Sequence, residues 1–164
     1  GIFEMDLSKF CSNTSKVNAT IANQLALYLT MYSPLQMAAD FPEHYEQFAD
    51  AFQFIKDVAV DWQKSKYLLA EPGDYIVVAR KAKKTGKWFA GGVTDENSRT
   101  LDVPMNFLDP GKTYVAKIYS DASDADYQKN PQAYVINEQE VTSESILPIF
   151  MARGGGFAIE FSEK

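Results

Sequence analysis

Apolar residues in the first part of the chain recur at the spacing of a helix. In the stretch NATIANQLALYLTMY, residues 18–32, they fall three or four positions apart, which predicts one buried helical face. A short polar side chain, from Ser15 or Asn18, is expected to cap the first turn, because it can accept a hydrogen bond from an otherwise unpaired amide. The predicted stripe consists of Ile21, Leu25, Leu29 and Tyr32.

Two further elements are predicted before residue 60. Ser33 and Pro34 end the first helix, and the apolar run 35–39 predicts a short buried strand that ends at Asp40. The stretch FPEHYEQFADAFQFIKDVAV then predicts a second helix, with a proline and an acidic residue suited to its first turn. Its apolar face is predicted to hold Phe48, Phe52, Ile55 and Ala59.

After Trp62 the hydrophobic period changes from that of helices to two. In RTLDVPMNFL apolar and polar residues alternate, which indicates a strand with one solvated face, and Pro104 suggests that this strand lies at an edge. Similar runs are DYIVVARKA, KWFAGGVTD, KTYVAKIYS, AYVINEQEV, SILPIFMA and GFAIEF, separated by turn-forming sequences. Many short, closely spaced strands favour an antiparallel sandwich, with DWQKSKYLLAEPGD as the junction to the helical part.

Composition narrows the possible function classes. The chain has 164 residues, 46% of them apolar, and a net charge of -6, so it can bury an ordinary core and is not expected to bind nucleic acid. Cys11 is the only cysteine, which excludes an intrachain disulfide. No apolar run is long enough for a membrane span.

Three polar motifs could in principle bind an ion, but each has a simpler interpretation. The glycines of MARGGGF could approach a phosphate, yet a strand follows them where a phosphate loop needs a helix, so a tight turn is favoured. The run SDASDADY lacks the glycine and glutamate positions of a calcium loop and is expected to be a solvated turn. The lysine-rich KAKKTGK is expected to be an exposed hairpin with Gly86 in its turn.

Neither a catalytic residue nor a sugar platform can be identified from the residue pattern. His44 is the only histidine and stands at a predicted helix start, where exposure is the default. Aromatic side chains could form a stacking surface for a sugar, although large aromatic residues are more often part of the core. The candidates are Trp88, Phe89, Tyr119, Tyr127 and Tyr134.

Three long segments resemble glycoside hydrolase family 97. They are GIFEMDLSKF, NATIANQLALYLTMYSPLQMAADFPEHYE and EPGDYIVVARKAKKTGKWFAGGVTDENSRTLDVPMNFLDPGKTYVAKIYSDA, and the likeness continues to ILPIFMARGGGFAIEF. The match is collinear and resembles the C-terminal third of that family. It implies an α+β chain, with residues 1–64 as the helical remnant of a (β/α)8 barrel and residues 65–164 as an antiparallel β-sandwich domain.

The resemblance also implies a function for the longer parent protein. Members hydrolyse α-glucosides or α-galactosides, are exported to the periplasm or beyond, and hold calcium with glutamates that have no counterpart here. This chain is therefore expected to carry no catalytic residue and no metal ligand. Asp40, at the end of a barrel strand, is a candidate substrate-binding residue, and Glu4 is a weaker one.

Two roles for the chain itself remain open at this stage. The sandwich could support the barrel of an oligosaccharide-cleaving enzyme, or it could be an independent carbohydrate-binding or structural module. The apolar stripes of the two helices must also be covered, so they are expected to pack as a pair on the sandwich or to drive self-association.

Overall fold

The first helix in the described part of the chain begins after Thr20. The computed structural model describes residues 1–5 and 17–164. Helix α1 (Ile21–Thr30) begins at Thr20, whose hydroxyl accepts a hydrogen bond from the Asn23 amide at 3.1 Å. Thr20 therefore fills the capping role predicted for Ser15, which lies outside the described residues, or for Asn18. The predicted helix is confirmed and its cap is corrected.

The second predicted helix is divided into two. Helices α2 (Pro42–Glu46) and α3 (Ala49–Asp57) are separated at Gln47 and Phe48. Phe48 leaves the helical conformation, and its ring makes edge contacts with Phe3 and Tyr134, with centroids 5.9 and 6.2 Å apart. The buried positions of this part are Tyr45 in α2 and Ala51, Phe54 and Val58 in and after α3. The predicted stripe of Phe48, Phe52, Ile55 and Ala59 is only half-buried.

The prediction of a strand at residues 35–39 is wrong for this structure. This segment forms no strand, and the side chains of Leu35 and Met37 are 74% and 76% exposed. A strand needs a neighbour to pair its backbone groups, and the described residues provide none at this position.

Eight strands follow, and they include the seven that alternation predicts. The stretch predicted as a junction is itself a strand, which pairs with the next one and carries two irregularities in register. The strands are β1 (Trp62–Glu71), β2 (Tyr75–Ala82), β3 (Trp88–Thr94), β4 (Arg99–Pro104), β5 (Tyr114–Asp121), β6 (Tyr134–Val141), β7 (Ile146–Met151) and β8 (Gly156–Glu163).

The strands form two antiparallel sheets that pack as a sandwich. The larger sheet has the order β1-β2-β3-β8-β5-β6, and the smaller one consists of β4 and β7. Pro104 ends β4 at an open edge, as predicted, and Gly86 and Gly154 lie in their predicted turns with φ of 69° and 63°. The core between the sheets includes Val77, Trp88, Val103, Met105, Leu147, Ile149, Met151, Phe157 and Phe161.

The helices cover the opposite face of the larger sheet. Ile21, Leu25 and Leu29 of α1 are fully buried there, as predicted for this stripe. Its fourth predicted member, Tyr32, lies beyond the end of α1 and is 58% exposed. Close approach requires glycine at Gly156, where an added Cβ would lie 2.5 Å from the Gly92 carbonyl oxygen. The molecule thus has three layers: helices, the six-stranded sheet and the two-stranded sheet.

The strand directions and the helix lengths both bear on the wider protein. Every strand pair in the described residues is antiparallel, so this chain by itself displays no part of a parallel barrel. None of its described helices has the length and apolar character needed to cross a membrane.

Candidate functional site

Asp40 connects the chain start to helix α2. Its Oδ2 accepts hydrogen bonds from the backbone amides of Phe3 at 2.7 Å and Glu4 at 3.0 Å. Its Oδ1 accepts from the Phe41 amide at 2.9 Å and lies 2.5 Å from Nδ1 of His44. The two carboxylate oxygens therefore hold two segments together that are more than thirty residues apart.

These contacts fix the ionisation of Asp40. Burial alone would raise the pKa of its carboxyl group, but the hydrogen bonds from His44, Glu4, Phe3 and Phe41 outweigh burial and lower the pKa to about 2. The side chain has no exposed surface. The carboxylate is thus charged at neutral pH, and its accepting positions are taken by the chain's own donors.

His44 lies between the two predicted site residues. Asp40 holds Nδ1, and Nε2 lies 3.8 Å from Oε2 of Glu4. The imidazole is 24% exposed, while Glu4 is 5% exposed. A carboxylate on Nδ1 favours the tautomer with its proton there, which leaves Nε2 of the neutral ring as a hydrogen-bond acceptor.

The structure therefore brings the two predicted residues, Asp40 and Glu4, together. His44, which lies between them, was not predicted to have a role. Asp40 and His44 stand four positions apart at a helix start, a spacing that places side chains on one face. That spacing is the one signal in the sequence that could have found the contact. The contact of His44 with Glu4 joins residues that are distant in sequence, so no local pattern could have indicated it.

The site does not fit a calcium ion. The described residues include no group of three or more histidine, cysteine, aspartate or glutamate side chains arranged to hold a metal. Calcium needs six to eight oxygen ligands, and the oxygens of Asp40 already face amide and imidazole donors.

The glycine-rich turn binds a carboxylate of the chain itself. Oδ2 of Asp121 accepts the amides of Ala152 and Gly156, both at 2.8 Å, and Asn23 donates to the Gly155 carbonyl oxygen at 2.9 Å. Burial raises the pKa of Asp121 to about 6 despite the hydrogen bonds that it accepts. The turn prediction is confirmed, and the amides that could have met a phosphate are occupied.

The charged side chains of two further loops also pair with groups of the chain itself. Asp126 accepts the amides of Gln128 and Lys129 and forms an ion pair with Arg153 at 3.1 Å, as expected for a solvated turn. Lysines of the predicted hairpin pair with acidic side chains across the fold, so they form no common anion site. The pairs are Lys81 with Asp109, Lys83 with Asp61 and Lys87 with Glu160.

The proposed aromatic platform is mostly core. Trp88, Phe89 and Tyr119 are at most 3% exposed, and the other two candidates are half-buried. The large exposed side chains lie elsewhere, mainly between α1 and α2 in what we term the apolar segment, residues 31–41. Its members Met31, Tyr32, Leu35, Met37 and Phe41 are 58% to 76% exposed. A concentration of exposed apolar residues of this kind marks an interaction surface.

The whole chain superposes on a known glycosidase. A glycoside hydrolase family 97 enzyme from Pseudoalteromonas sp. strain K8, solved in complex with acarbose, matches with a TM-score of 0.94 and 44% identity. The match covers 100% of this chain and 26% of that one. A β-arabinopyranosidase structure, with a TM-score of 0.72 and 18% identity, shares the fold.

Sequence relatives carry related names. A retaining α-galactosidase from Bacteroides thetaiotaomicron is 31% identical over 150 residues, which are 92% of this chain and 22% of the relative. A probable retaining α-galactosidase from Streptomyces bingchenggensis is 28% identical over 140 residues, 85% of this chain and 20% of the relative. The chain therefore spans about a quarter or less of the proteins it matches.

The family model confirms the relationship over the sandwich. Residues 61–162 match the domain described as "Glycosyl-hydrolase 97 C-terminal, oligomerisation". This range runs from just before β1 to the penultimate residue of β8 and holds both sheets. The chain belongs to glycoside hydrolase family 97, and its sandwich is that family's C-terminal domain.

Proposed function

We propose that this chain is the C-terminal part of an exported α-glycosidase that cleaves oligosaccharides. Residues 1–60 would complete the end of a (β/α)8 barrel, and the sandwich would support that barrel without taking part in the chemistry. The observation that carries this proposal is the superposition of the entire chain, helical layer included, on a family 97 enzyme four times its length.

The apolar segment supports the barrel assignment. Leu35 and Met37 were expected in a buried strand, and here they are exposed without a pairing partner. Covering side chains of this size is favourable by roughly 1.5–3 kcal/mol each. In the parent enzyme, we propose, neighbouring parallel strands pair with residues 35–39 and bury them.

The relatives support a substrate class for the parent. The Pseudoalteromonas enzyme was solved with acarbose and, as another variant, with panose, which are built from α-linked glucose or glucose-like rings. That enzyme is 44% identical to this chain, whereas the Bacteroides α-galactosidase is 31% identical. We propose α-glucosides as the parent's substrates. The galactosidase relatives support α-galactosides as the second candidate.

Asp40 and Glu4 would lie beside the substrate site of the parent. Because the oxygens of Asp40 are occupied, its proposed part is positioning: it holds the main chain at Glu4 and orients His44. Glu4 and Nε2 of His44 would be the groups that face sugar hydroxyls. We further propose that the ligands of a parental calcium ion lie outside this chain.

Activity of the parent is the decisive test. The enzyme that contains this chain is expected to hydrolyse an aryl α-glucoside in preference to an aryl α-galactoside, and residues 1–164 alone are expected to hydrolyse neither. Expression with the parent's own leader followed by cell fractionation tests export. Robust hydrolysis by the isolated chain would disprove the supporting role, and a parent inactive on both sugars would disprove the glycosidase assignment.

A further inference from the structure

Arg80 is a buried cation that lacks an acidic partner. Its side chain, on β2, is only 5% exposed. Its Nε donates to the Leu29 carbonyl oxygen at 2.6 Å and its Nη1 to the Ser65 hydroxyl at 2.5 Å. Neither acceptor is charged, and among the described residues no carboxylate pairs with the guanidinium. A buried charge is normally paired, because removing it from water without a counter-charge costs free energy.

The surroundings of Arg80 offset only part of its charge. The C-terminal end of a helix carries roughly half a negative elementary charge, so the Leu29 carbonyl group, in the last turn of α1, supplies a fraction of the counter-charge. Burial lowers the pKa of Arg80, and the ionisable groups that act against this are the phenols of Tyr67 and Tyr32, which are neutral at pH 7. The guanidinium stays charged all the same, because its ordinary pKa lies far above 7. The site is therefore suited to a further negative charge.

Two exposed tyrosines stand beside the guanidinium. The Tyr32 ring centroid lies 5.6 Å from Cζ of Arg80. Ser65 is paired with Arg80 across β1 and β2, and Tyr67, two residues further along β1, lies on the same face of the sheet. The side chains of Tyr32 and Tyr67 are 58% and 69% exposed. We call the surface formed by Tyr32, Ser65, Tyr67 and Arg80 the arginine patch.

The free donors of the arginine patch fit a carboxylate. Nη2 of Arg80 has no hydrogen-bond acceptor in the part of the chain that the structure describes, and it is not closed off from solvent. A planar guanidinium pairs with a carboxylate through N–H···O bonds, and a phenol hydroxyl can donate to the same group. A sugar could stack on the tyrosines, but its hydroxyl groups are neutral and would leave the charge of Arg80 uncompensated. The chemistry of the patch therefore favours an acid.

The position of the arginine patch indicates where that acid comes from. Tyr32 belongs both to the patch and to the apolar segment, which the rest of the parent would cover under the proposed function. A chain that covers the apolar segment at Tyr32 therefore also meets Arg80. We propose that an acidic side chain from the part of the parent outside residues 1–164 binds Arg80 in the arginine patch. This proposal rests on the proposed function, and the ion pair would fix the end of α1 and the edge strand β1 against the rest of the enzyme.

Carbodiimide cross-linking of the parent tests the proposal. Arg80→Lys places a primary amine in the arginine patch, and a carbodiimide joins an amine to a carboxylate that is in direct contact with it. Mass spectrometry of the digested parent should show this amine linked to a peptide from outside residues 1–164. Arg153→Lys is the matched control: Arg153 pairs with Asp126 at 3.1 Å, so this variant should link within the chain.

A second variant and an internal link keep the result interpretable. Tyr67→Lys, at an exposed position, leaves the Arg80 hydrogen bonds in place and should link to the same outside peptide. The native pair of Lys87 and Glu160, 2.7 Å apart, should link in every folded sample. If that link forms while both variants stay unlinked, or link only to acids of residues 1–164, the proposal is overturned. Amide formation with added acetate in place of a protein carboxylate would show a site for a free anion and would also overturn it.

A double-mutant cycle then measures the ion pair itself. Replacing the cross-linked acid by its amide should speed thermal unfolding of the parent about fivefold when Arg80 is present. In the Arg80→Gln background the same replacement should change the rate by less than about twofold, because the partner is already gone. Equal acceleration in both backgrounds would show that the two side chains do not interact and would overturn the proposal. Neither experiment depends on turnover, so a failed glycosidase assignment and a failed ion pair are told apart.

Discussion

At the scale of single residues, Asp40 holds the chain start to helix α2 through hydrogen bonds to both of its carboxylate oxygens. Asp40→Asn replaces one oxygen with an amide group, which must then face either the Phe3 and Glu4 amides or the donors from Phe41 and His44. We expect the free energy of unfolding to fall by about 1–3 kcal/mol at pH 7, measured by urea denaturation. Asp109→Asn, a half-exposed aspartate, should change it by less than about 0.5 kcal/mol.

The contribution of Asp40 to the free energy of unfolding should depend on pH, and Asp40→Asn tests this. The pKa of Asp40 is lowered to about 2 in the folded state, so the unfolded chain binds more protons between about pH 4 and pH 2. The stability that Asp40 contributes is therefore complete above pH 4 and is lost as the pH falls toward 2. Asp40→Asn should lack this loss. Parallel curves for the two proteins below pH 4 would contradict the hydrogen-bond network described for this carboxylate.

For Asp121 we expect the free energy of unfolding to change with pH in the opposite direction. Its pKa is raised to about 6, so the folded state binds more protons than the unfolded state between about pH 4 and pH 6. Stability should decrease as pH rises through this window, by about 2–3 kcal/mol from this group. Asp121→Asn can still accept the Ala152 and Gly156 amides and should remove the slope. Denaturation midpoints at pH 4, 5, 6 and 7 measure it.

At the scale of elements, α1 is held against the sheet by a glycine contact and a buried cation. Arg80 on β2 donates Nε to the Leu29 carbonyl oxygen at 2.6 Å and Nη1 to Ser65 at 2.5 Å, so it satisfies the C-terminal end of α1. Gly156 lets β8 approach the start of the same helix.

Gly156→Ala tests this close approach. The new Cβ would lie 2.5 Å from the Gly92 carbonyl oxygen and 3.0 Å from Cα of Asn23, and backbone atoms cannot move aside as a side chain can. We expect a loss of about 1–3 kcal/mol in the free energy of unfolding and faster hydrogen exchange in α1. An unchanged exchange pattern would mean that the helix is not held through this contact.

Local pattern predicted the elements unequally well. The strands were predictable because alternation and glycine turns are local signals, as in RTLDVPMNFL and MARGGGF. The break between α2 and α3 was not, because Phe48 leaves the helix to meet Phe3 and Tyr134, which are distant in sequence. The strand at residues 35–39 failed for a related reason: its apolar run has no pairing partner among the described residues.

At the scale of the whole molecule, neither the layer order nor the contact of His44 with Glu4 could be predicted from the sequence. Helix α1 lies against β3 and β8, on the face of the larger sheet opposite β4 and β7. The pairing of β3 with β8 joins residues more than sixty positions apart and leaves no local trace in the sequence. Asp40 and Glu4 were found through a family resemblance. The hydrogen bonds that make Asp40 a positioning residue became visible only in the fold.

The apolar segment gives the last prediction, which concerns the chain within its parent. If neighbouring strands cover Leu35 and Met37 there, the amides of residues 35–39 gain strand hydrogen bonds, whereas in the described part of the chain this segment pairs with no strand and the Leu35 amide donates only to the Ser33 hydroxyl, at 3.3 Å. Hydrogen exchange of this peptide should be at least a hundredfold slower in the parent than in residues 1–164 alone. The β2–β3 hairpin, paired in both, is the internal control and should exchange alike. Equal exchange of residues 35–39 in both proteins would show that no strand covers them and would remove the physical support for the barrel assignment.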